Sequence, residues 1–346
     1  MRVLLVAPSL NPVTYKGLGR YSRELFEGLQ RHVDVELIVK PAEEDKVVST
    51  HTEIPLRILM TGQHDVVHAL SPEMGIYNSL LSSKSVTTFH DLIPIVAFRE
   101  MEFRLPFFTA SYTRLTWQLA ARASRLIVNS TQTARELARV LTVNRRKIRV
   151  VPLGVGKEFK PKSQFARNRP LTIGFFGNYT YRKRVNLALE AFKLTQKRTD
   201  ARLILAGGKI RTLYQRHFNM RKLVKGISKV KTLDYIPESQ LVALYNSFDV
   251  MYFPSSYEGF GLPILEAQKC GVPVLILNDA KIPPEVTKKC VVCTDANDMA
   301  VQTLTLLADS RKRRAISHAG IEYASRFTWE KTVRLTLEVY KELLKA

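Results

Sequence analysis

Cysteine is scarce in this sequence, with three residues, Cys270, Cys290 and Cys293, among 346. Three thiols build no disulfide framework. Cys290 and Cys293 form one C-x-x-C, but no second ligand pair and no opening helix accompany it. Packing in the short run KKCVVCT is therefore expected ahead of metal or redox chemistry. Long apolar runs are absent too: none approaches the ~18 residues that span a bilayer. The N-terminus, MRVLLVAPSL, carries one positive charge and a short apolar stretch without a small-residue cleavage site, so it reads as a first buried strand. These features lead us to expect a cytoplasmic chain. Acidic residues are few, 31 Asp and Glu against 53 Lys and Arg, for a net charge of +22. Such a field favours anionic partners: nucleotides, phospholipid surfaces or nucleic acid. The basic residues are spread over both halves and form no recognised nucleic-acid motif, which makes a nucleic-acid-binding protein the weaker reading.

What the sequence has in quantity is alternation. Strand-like runs occur at Val3–Ala7, Val35–Val39, Asp65–Ala69, Ser85–Phe89, Leu126–Asn129 and Ile148–Val151. A second set follows at Leu171–Phe176, Arg202–Ala206, Lys229–Leu233, Val250–Phe253, Val272–Leu277 and Cys290–Thr294. Several are continuous V/I/L runs, the mark of strands covered on both faces. Helical patterns fall between them, as at Tyr21–Arg31, Thr131–Val140, Val185–Gln196 and Glu238–Ser247. Such alternation implies parallel sheets with right-handed crossovers. The polar, basic stretch Lys157–Pro170 has the composition of a linker. We therefore expect two doubly wound α/β domains, residues 1–165 and 166–326, with a closing helix in 327–346. Ligands of such sheets sit beyond the carboxyl ends of the strands, so two facing domains imply a cleft between them.

The segment from Phe253 to Ile276, FPSSYEGFGLPILEAQKCGVPVLI, is the most informative. A strand ends at Phe253, a loop holds Gly259 and Gly261, and a helix runs to about Lys269. A glycine loop feeding a helix N-terminus is an anion site, because free N–H groups and the helix dipole face the ligand. Glu258 lies in the loop and Glu266 in the helix. A carboxylate accepts two hydrogen bonds side by side and so suits vicinal sugar or ribose hydroxyls. On spacing alone, two solvated or salt-bridged acids beside an ordinary turn explain the pattern equally well.

The order of residues adds more. Ser255, Glu258, Gly259, Phe260, Gly261, Leu262, Pro263, Leu265, Glu266 and Ala267 resemble the S-x-x-E-G-F-G-L-P-x-L-E-A signature of family 4 retaining glycosyltransferases. The resemblance implies that Glu258 and the amides of Gly259, Phe260, Gly261 and Leu262 hold the transferred sugar and the phosphates, while Glu266 grips the ribose. Pro263 has no N–H, so its neighbours must serve the phosphates. The run Gly174–Phe192 resembles the family's phosphate-binding loop, with Lys183 at the diphosphate-binding lysine and Arg182 beside it. Asn178 stands where many members carry a second phosphate-binding arginine, a role Arg182 or Arg184 would have to fill. YKGLGRYSRELFEGL resembles the family's glycine segment after the first strand, so Gly17 and Gly19 would let backbone approach the diphosphate. A dinucleotide site competes there, but Ser22 occupies the third glycine position. VTTFHDLIPI resembles a strand ending in His-Asp and assigns His90 to the sugar or its acceptor. Tyr235 and Ile236 would line the base. Ile127–Thr131, Val150–Val155 and Phe327–Thr332 resemble further landmarks, the last opening a helix that returns to the N-terminal domain in this fold.

The resemblance thus implies the GT-B architecture and a retaining hexosyl transfer; we expect a mannosyl- or glucosyltransferase using a GDP- or UDP-sugar, with mannose from GDP-mannose preferred. Lys183, Arg182 and helix N-terminal amides would stabilise the leaving diphosphate without a metal or other cofactor; no clustered Asp-x-Asp is present. His90, Lys183 and Glu258 are the candidate catalytic residues. A sugar-nucleotide epimerase of the same fold is a further alternative. From Phe98 to Arg125, cations interleave with Phe103, Phe107, Phe108, Tyr112 and Trp117. That pattern fits a helix on the inner face of an anionic membrane, serving a glycan or lipid-linked acceptor. It fits equally a domain helix whose aromatics face its own core.

Overall fold

The computed structural model describes residues 1–40, 51–82, 84–100, 107–162, 170–208 and 217–345. Two compact units divide them: Met1–Gly154 with Thr328–Ala346, and Val155–Phe327. Each is a six-stranded parallel sheet flanked by helices. All twelve expected strands are present, their ends shifted by at most two residues.

In the first unit β1 (Arg2–Ala7), β2 (Asp34–Val39), β3 (Val66–Ala69), β4 (Ser85–Phe89), β5 (Arg125–Val128) and β6 (Ile148–Val150) lie in the order β2-β1-β3-β4-β5-β6. In the second, β7 (Thr172–Phe176), β8 (Arg202–Ala206), β9 (Val230–Leu233), β10 (Val250–Tyr252), β11 (Val274–Leu277) and β12 (Val291–Cys293) lie in the order β12-β11-β10-β7-β8-β9. The chain steps outward one way and then the other, so strand order reverses between β1 and β3 and between β7 and β10. Those reversals are where doubly wound sheets open a crevice.

Register decides what each face carries. Leu4 pairs with Val67, Val6 with Ala69, Val67 with Ser85, Ala69 with Thr87, and Phe89 with Val128, so these residues share one face of the first sheet. Ile54 and Ile58 of helix Glu53–Met60 pack there, as do Trp117 of helix Phe107–Ala120 and Leu137 of helix Thr131–Val140. The opposite face carries His68 and Thr88, which meet Tyr340 of the closing helix Trp329–Lys345 and Tyr21 of helix Pro12–Leu29. In the second unit Ile173, Phe175, Leu203, Leu205, Val250 and Tyr252 form the centre of one buried cluster under helices Val185–Thr195 and Ala296–Ala308.

The division falls at Gly154, ahead of the basic stretch where composition placed it. Val155 to Phe159 are built into the second unit: Lys269 Nζ donates to the carbonyls of Val155 and Gly156, and the Phe159 ring meets Tyr245 edge-on. Gly154 is held against the closing helix, where a Cβ would lie 2.3 Å from the Trp329 nitrogen.

Three details depart from expectation. Helix Pro12–Leu29 starts at Pro12 rather than Tyr21, since proline's fixed φ suits a first helical position. Gly17 and Gly19 therefore lie within the helix, where their N–H groups belong to the helical ladder instead of an open loop. Trp117 is buried and meets Phe89 edge-on at 5.8 Å, whereas Tyr112 on the same helix is exposed, so this helix divides its aromatics between core and surface. Phe103 and the side chains of Phe98, Phe107 and Phe108 lie outside the described residues. No described helix is long and apolar enough to cross a membrane.

Candidate active site

At the reversal between β7 and β10, two loops meet. After β7 the chain passes through Gly177 to a short 3-10 turn, Tyr181–Lys183, whose end is marked by Arg184 in the left-handed region at φ 49°. After β10 it runs through Ser255 and Glu258 to Gly261, at φ 104°, which caps the helix Leu262–Lys269. A side chain is strained at such a φ, which accounts for the glycine.

Four polar side chains converge there. Glu258 Oε1 accepts hydrogen bonds from Lys183 Nζ at 2.6 Å, Arg182 Nη1 at 2.8 Å and Ser255 Oγ at 2.5 Å. Arg182, Lys183 and Glu258 are buried. Burial alone would raise the Glu258 carboxyl, but the charges of Arg182 and Lys183 and the hydrogen bonds from Lys183 and Ser255 overcome it and hold the group at about 2. Two cations on one carboxylate oxygen leave the triad with one net positive charge in surroundings that solvate charge poorly, an arrangement suited to an anionic ligand. The Lys183 ammonium also lies 4.8 Å from the Phe253 ring centroid. The loops are locked by main-chain bonds: Ser256 N donates to Arg182 O at 2.9 Å, and Glu258 N to Lys281 O at 3.0 Å.

The remaining candidates fall into separate groups. Glu266 is buried inside its helix, where Oε2 accepts from Tyr245 OH at 2.7 Å. Burial, followed by the Glu266 charge, pushes the Cys270 thiol up to about 12. Gly259 and Phe260 are buried, with Phe260 edge-on to Phe327 at 6.1 Å, and Leu262 opens the helix. Arg184 pairs with Asp279, at 2.7 Å to Oδ1 and 2.8 Å to Oδ2, away from Glu258. Of the two arginines that could offset Asn178, Arg182 is the one that shares the Glu258 carboxylate with Lys183. Asn178 itself accepts from Thr180 Oγ1 at 2.9 Å. Tyr235 and Ile236 follow β9, on the far side of β7 from β10.

In the first unit, His90 follows β4 and is half-buried. Its Nε2 lies 2.9 Å from the Leu70 carbonyl oxygen, which can only accept, so Nε2 carries the proton. Burial lowers its pKa to about 4 against that hydrogen bond, leaving a neutral ring with Nδ1 as its lone-pair side. Tyr21 meets the ring edge-on at 4.6 Å, and Asn129 Nδ2 donates to the His90 carbonyl at 2.7 Å.

Sequence reasoning missed three features. Ser255, read only as a match to the signature, donates to the same Glu258 carboxylate oxygen as the two cations. His68 is wholly buried, with Nδ1 2.6 Å from Tyr340 OH and Nε2 2.8 Å from Thr88 Oγ1. Gly207 and Gly208, adjacent at the end of β8, both take positive φ, and a Cβ on Gly207 would lie 2.4 Å from the Gly177 carbonyl oxygen. The doubled glycine was the available signal; His68 offered none, because its partners come from distant segments. The C-x-x-C thiols are raised by burial, which disfavours the reactive thiolate.

Comparison with known proteins bears on this geometry. The profile described as Glycosyl transferases group 1 matches residues 156–323, and that of Glycosyltransferase Family 4 matches residues 15–159. The chain is 28% identical to the O-antigen chain mannosyltransferase B of Escherichia coli over 278 residues, 75% of this chain and 71% of that one. It is also 28% identical over 249 residues to the D-inositol 3-phosphate glycosyltransferase of Saccharomonospora viridis, spanning 66% of this chain but 58% of that enzyme. In structure it resembles sucrose-phosphate synthase from Thermosynechococcus elongatus, with a TM-score of 0.78 at 20% identity over 100% of this chain and 99% of that one. Anabaena HepE in complex with UDP and glucose gives a TM-score of 0.74 at 16% identity over 99% and 100%. At these identities the likeness is one of fold, the GT-B fold.

Proposed function

Because the chain belongs to the family 4 glycosyltransferases, we propose that it is a retaining hexosyltransferase, moving mannose from GDP-mannose to a glycan or lipid-linked acceptor. The observation that carries this reading is the buried triad of Lys183, Arg182 and Glu258 at the β7/β10 reversal. As the bond from the anomeric carbon to the diphosphate oxygen breaks, negative charge gathers on the departing nucleotide. Lys183 and Arg182 are preorganised to neutralise it, with the amides of the glycine cap and the helix N-terminus beside them. Held at about 2, Glu258 is ionised at neutral pH; it accepts hydrogen bonds from sugar hydroxyls and is no proton donor. Glu266 takes the ribose hydroxyls, its carboxylate oriented by Tyr245, while Tyr235 and Ile236 border the base. His90 offers Nδ1 as an acceptor to a substrate hydroxyl. Gly17 contributes by keeping the helix surface bare, since nothing lies within 4 Å of its Cβ position, while Gly19 is buried on the same helix. The acceptor oxygen bonds to the anomeric carbon on the face the diphosphate leaves, and its proton passes to the departing phosphate oxygen. No divalent cation enters this scheme, so saturating EDTA should leave the rate unchanged.

Mannose is favoured by similarity to the O-antigen chain mannosyltransferase B, and UDP bound by HepE names the rival donor class. Thermal-shift screening against GDP, UDP and ADP with their sugars, followed by donor hydrolysis, separates them. Selective stabilisation by GDP and GDP-mannose supports the proposal. Stabilisation by UDP alone moves the donor, and a flat response to every nucleotide overturns the transferase reading for this site. Peripheral contact with an anionic membrane completes the reading of the acceptor.

A further inference from the structure

The helices on one face of the first sheet present an unusual outer surface. Register places Glu53–Met60, Phe107–Ala120 and Thr131–Val140 over the same face, with the short helix Asn78–Leu81 between the first two. Helix Glu53–Met60 sends Ile54 and Ile58 inward, yet Leu56, Leu59 and Met60 point to solvent. Leu80 and Leu115 are likewise exposed, so all four exposed leucines among the described residues lie on this layer, each more than half accessible. Isolated exposed leucines are ordinary; a group of them on adjoining helices marks an interaction surface. His51 fastens the layer, with Nδ1 2.7 Å from Tyr77 OH and Nε2 2.5 Å from Tyr112 OH.

The other end of the layer is cationic. Between Arg122 and Arg149, eight residues are Lys or Arg and one, Glu136, is acidic. Arg135 and Arg139 are exposed one helical turn apart, and Arg145 and Arg146 are exposed on the turn before β6. Lys147 Nζ donates to the Ala123 carbonyl at 3.3 Å, which draws that turn beside exposed Arg122. Glu342, the acid supplied by the closing helix, is bound by Arg125 and Arg149, so it does not offset the exposed arginines. Exposed Arg114 and Gln118 on helix Phe107–Ala120 lead from the leucine end to Arg122 at helical spacing.

We propose that this layer is a docking surface for an anionic phospholipid membrane, a proposal that deepens the membrane contact named above by assigning it residues. Leucine, methionine and tyrosine side chains enter the boundary between headgroups and acyl chains, while the arginines bind headgroup phosphates with their stems along the apolar surface. Nucleic acid would use the cations but leave the leucines without a role. Cations on edge strand β6 also deter pairing with another sheet, and the experiment separates that use from docking.

Flotation with vesicles of 70% phosphatidylcholine and 30% phosphatidylglycerol, against pure phosphatidylcholine, tests the proposal. The intact chain should bind the anionic vesicles, with affinity falling as salt rises. The variant Arg135→Glu/Arg139→Glu/Arg145→Glu/Arg146→Glu should lose on the order of 10²–10³-fold in affinity. Leu56→Ser/Leu59→Ser/Met60→Ser should weaken the binding that persists in high salt. Lys288→Glu/Lys289→Glu/Arg311→Glu/Arg314→Glu, an equal charge change at exposed sites of the second unit, should stay within a few-fold of the parent. No binding by the parent, or equal loss in both charge-reversed variants, would overturn the proposal, as would tighter binding to duplex RNA through the same arginines. Thermal stabilisation by nucleotide, measured on the same variants, reports the transferase site separately. Intact stabilisation without vesicle binding removes the docking surface and leaves the site standing.

Discussion

Lys183 Nζ and Glu258 Oε1 lie 2.6 Å apart, joining the loop after β7 to the loop after β10 at the point where the second sheet reverses its order. The contact holds a cation where a diphosphate is expected. It also makes each partner costly to remove: breaking a buried ion pair from one side leaves the other charge uncompensated, at about 3–5 kcal/mol.

Glu258→Ala and Lys183→Ala should each lower the initial rate of donor turnover by roughly 10²–10³. Arg182→Ala should fall in the same range, because Arg182 shares the carboxylate. Arg184→Ala should stay within about threefold, as its partner is Asp279. A large loss at Arg184 with none at Arg182 would reverse the assignment of the cation that offsets Asn178.

Glu258→Gln keeps the size of the side chain and removes its charge, leaving Arg182 and Lys183 buried without their counterion. The variant should melt well below the parent, and a nucleoside diphosphate should raise its Tm more than the parent's, since the ligand replaces the missing negative charge. Equal shifts in both proteins would separate this triad from the phosphate site.

Stability should depend on pH through the same carboxyl. Its folded pKa, about 2, lies below the usual carboxylate value, so the unfolded chain binds the proton first as pH falls. The stabilisation is complete above about pH 4.5, is lost as pH drops toward 2, and amounts to ~3 kcal/mol. In guanidinium unfolding, the stability gap between the parent and Glu258→Gln should narrow across that window. A gap independent of pH would contradict the arrangement.

The two histidines His68 and His90 of the first unit both have lowered pKa values, because burial disfavours their charged form. Burial lowers His68 to about 3, aided by the neighbouring His90, and lowers His90 to about 4. Both should remain neutral from pH 5 to 8 in nitrogen-detected NMR, with His90 as the Nε2–H tautomer. The unfolded chain gains these protons first, so folding stability should decline as pH falls from about 6.5 toward 4. Tyr340→Phe, which deprives His68 Nδ1 of its partner, should cost about 1–3 kcal/mol.

Gly207→Ala should destabilise the second unit by more than about 2 kcal/mol in chemical denaturation. The backbone there takes φ 125°, and the new Cβ would strike the Gly177 carbonyl oxygen.

Much of this was legible in the order of residues. Strand positions followed from V/I/L runs, because strands buried on both faces must be apolar throughout and local composition records that. The acid and glycine spacing of Glu258–Glu266 was visible because one loop and one helix carry it. Other features depend on where distant segments come together. Ser255, Glu258, Arg182 and Lys183 are over seventy residues apart between the two loops, and only the order β10-β7 makes them neighbours. Spacing alone left Glu258 open between a solvated acid and a ligand group; burial against two cations makes it an ionised member of a buried triad. Likewise the neighbours Arg182 and Arg184 take different partners, Glu258 and Asp279, across a turn in which Arg184 has φ 49°. The sequence by itself determined the elements, the two-sheet architecture and the types of residue available for phosphate and sugar. Tertiary structure decided which charges share a low-dielectric space and which face of a helix meets solvent, because those depend on strand order and register, which no local pattern encodes.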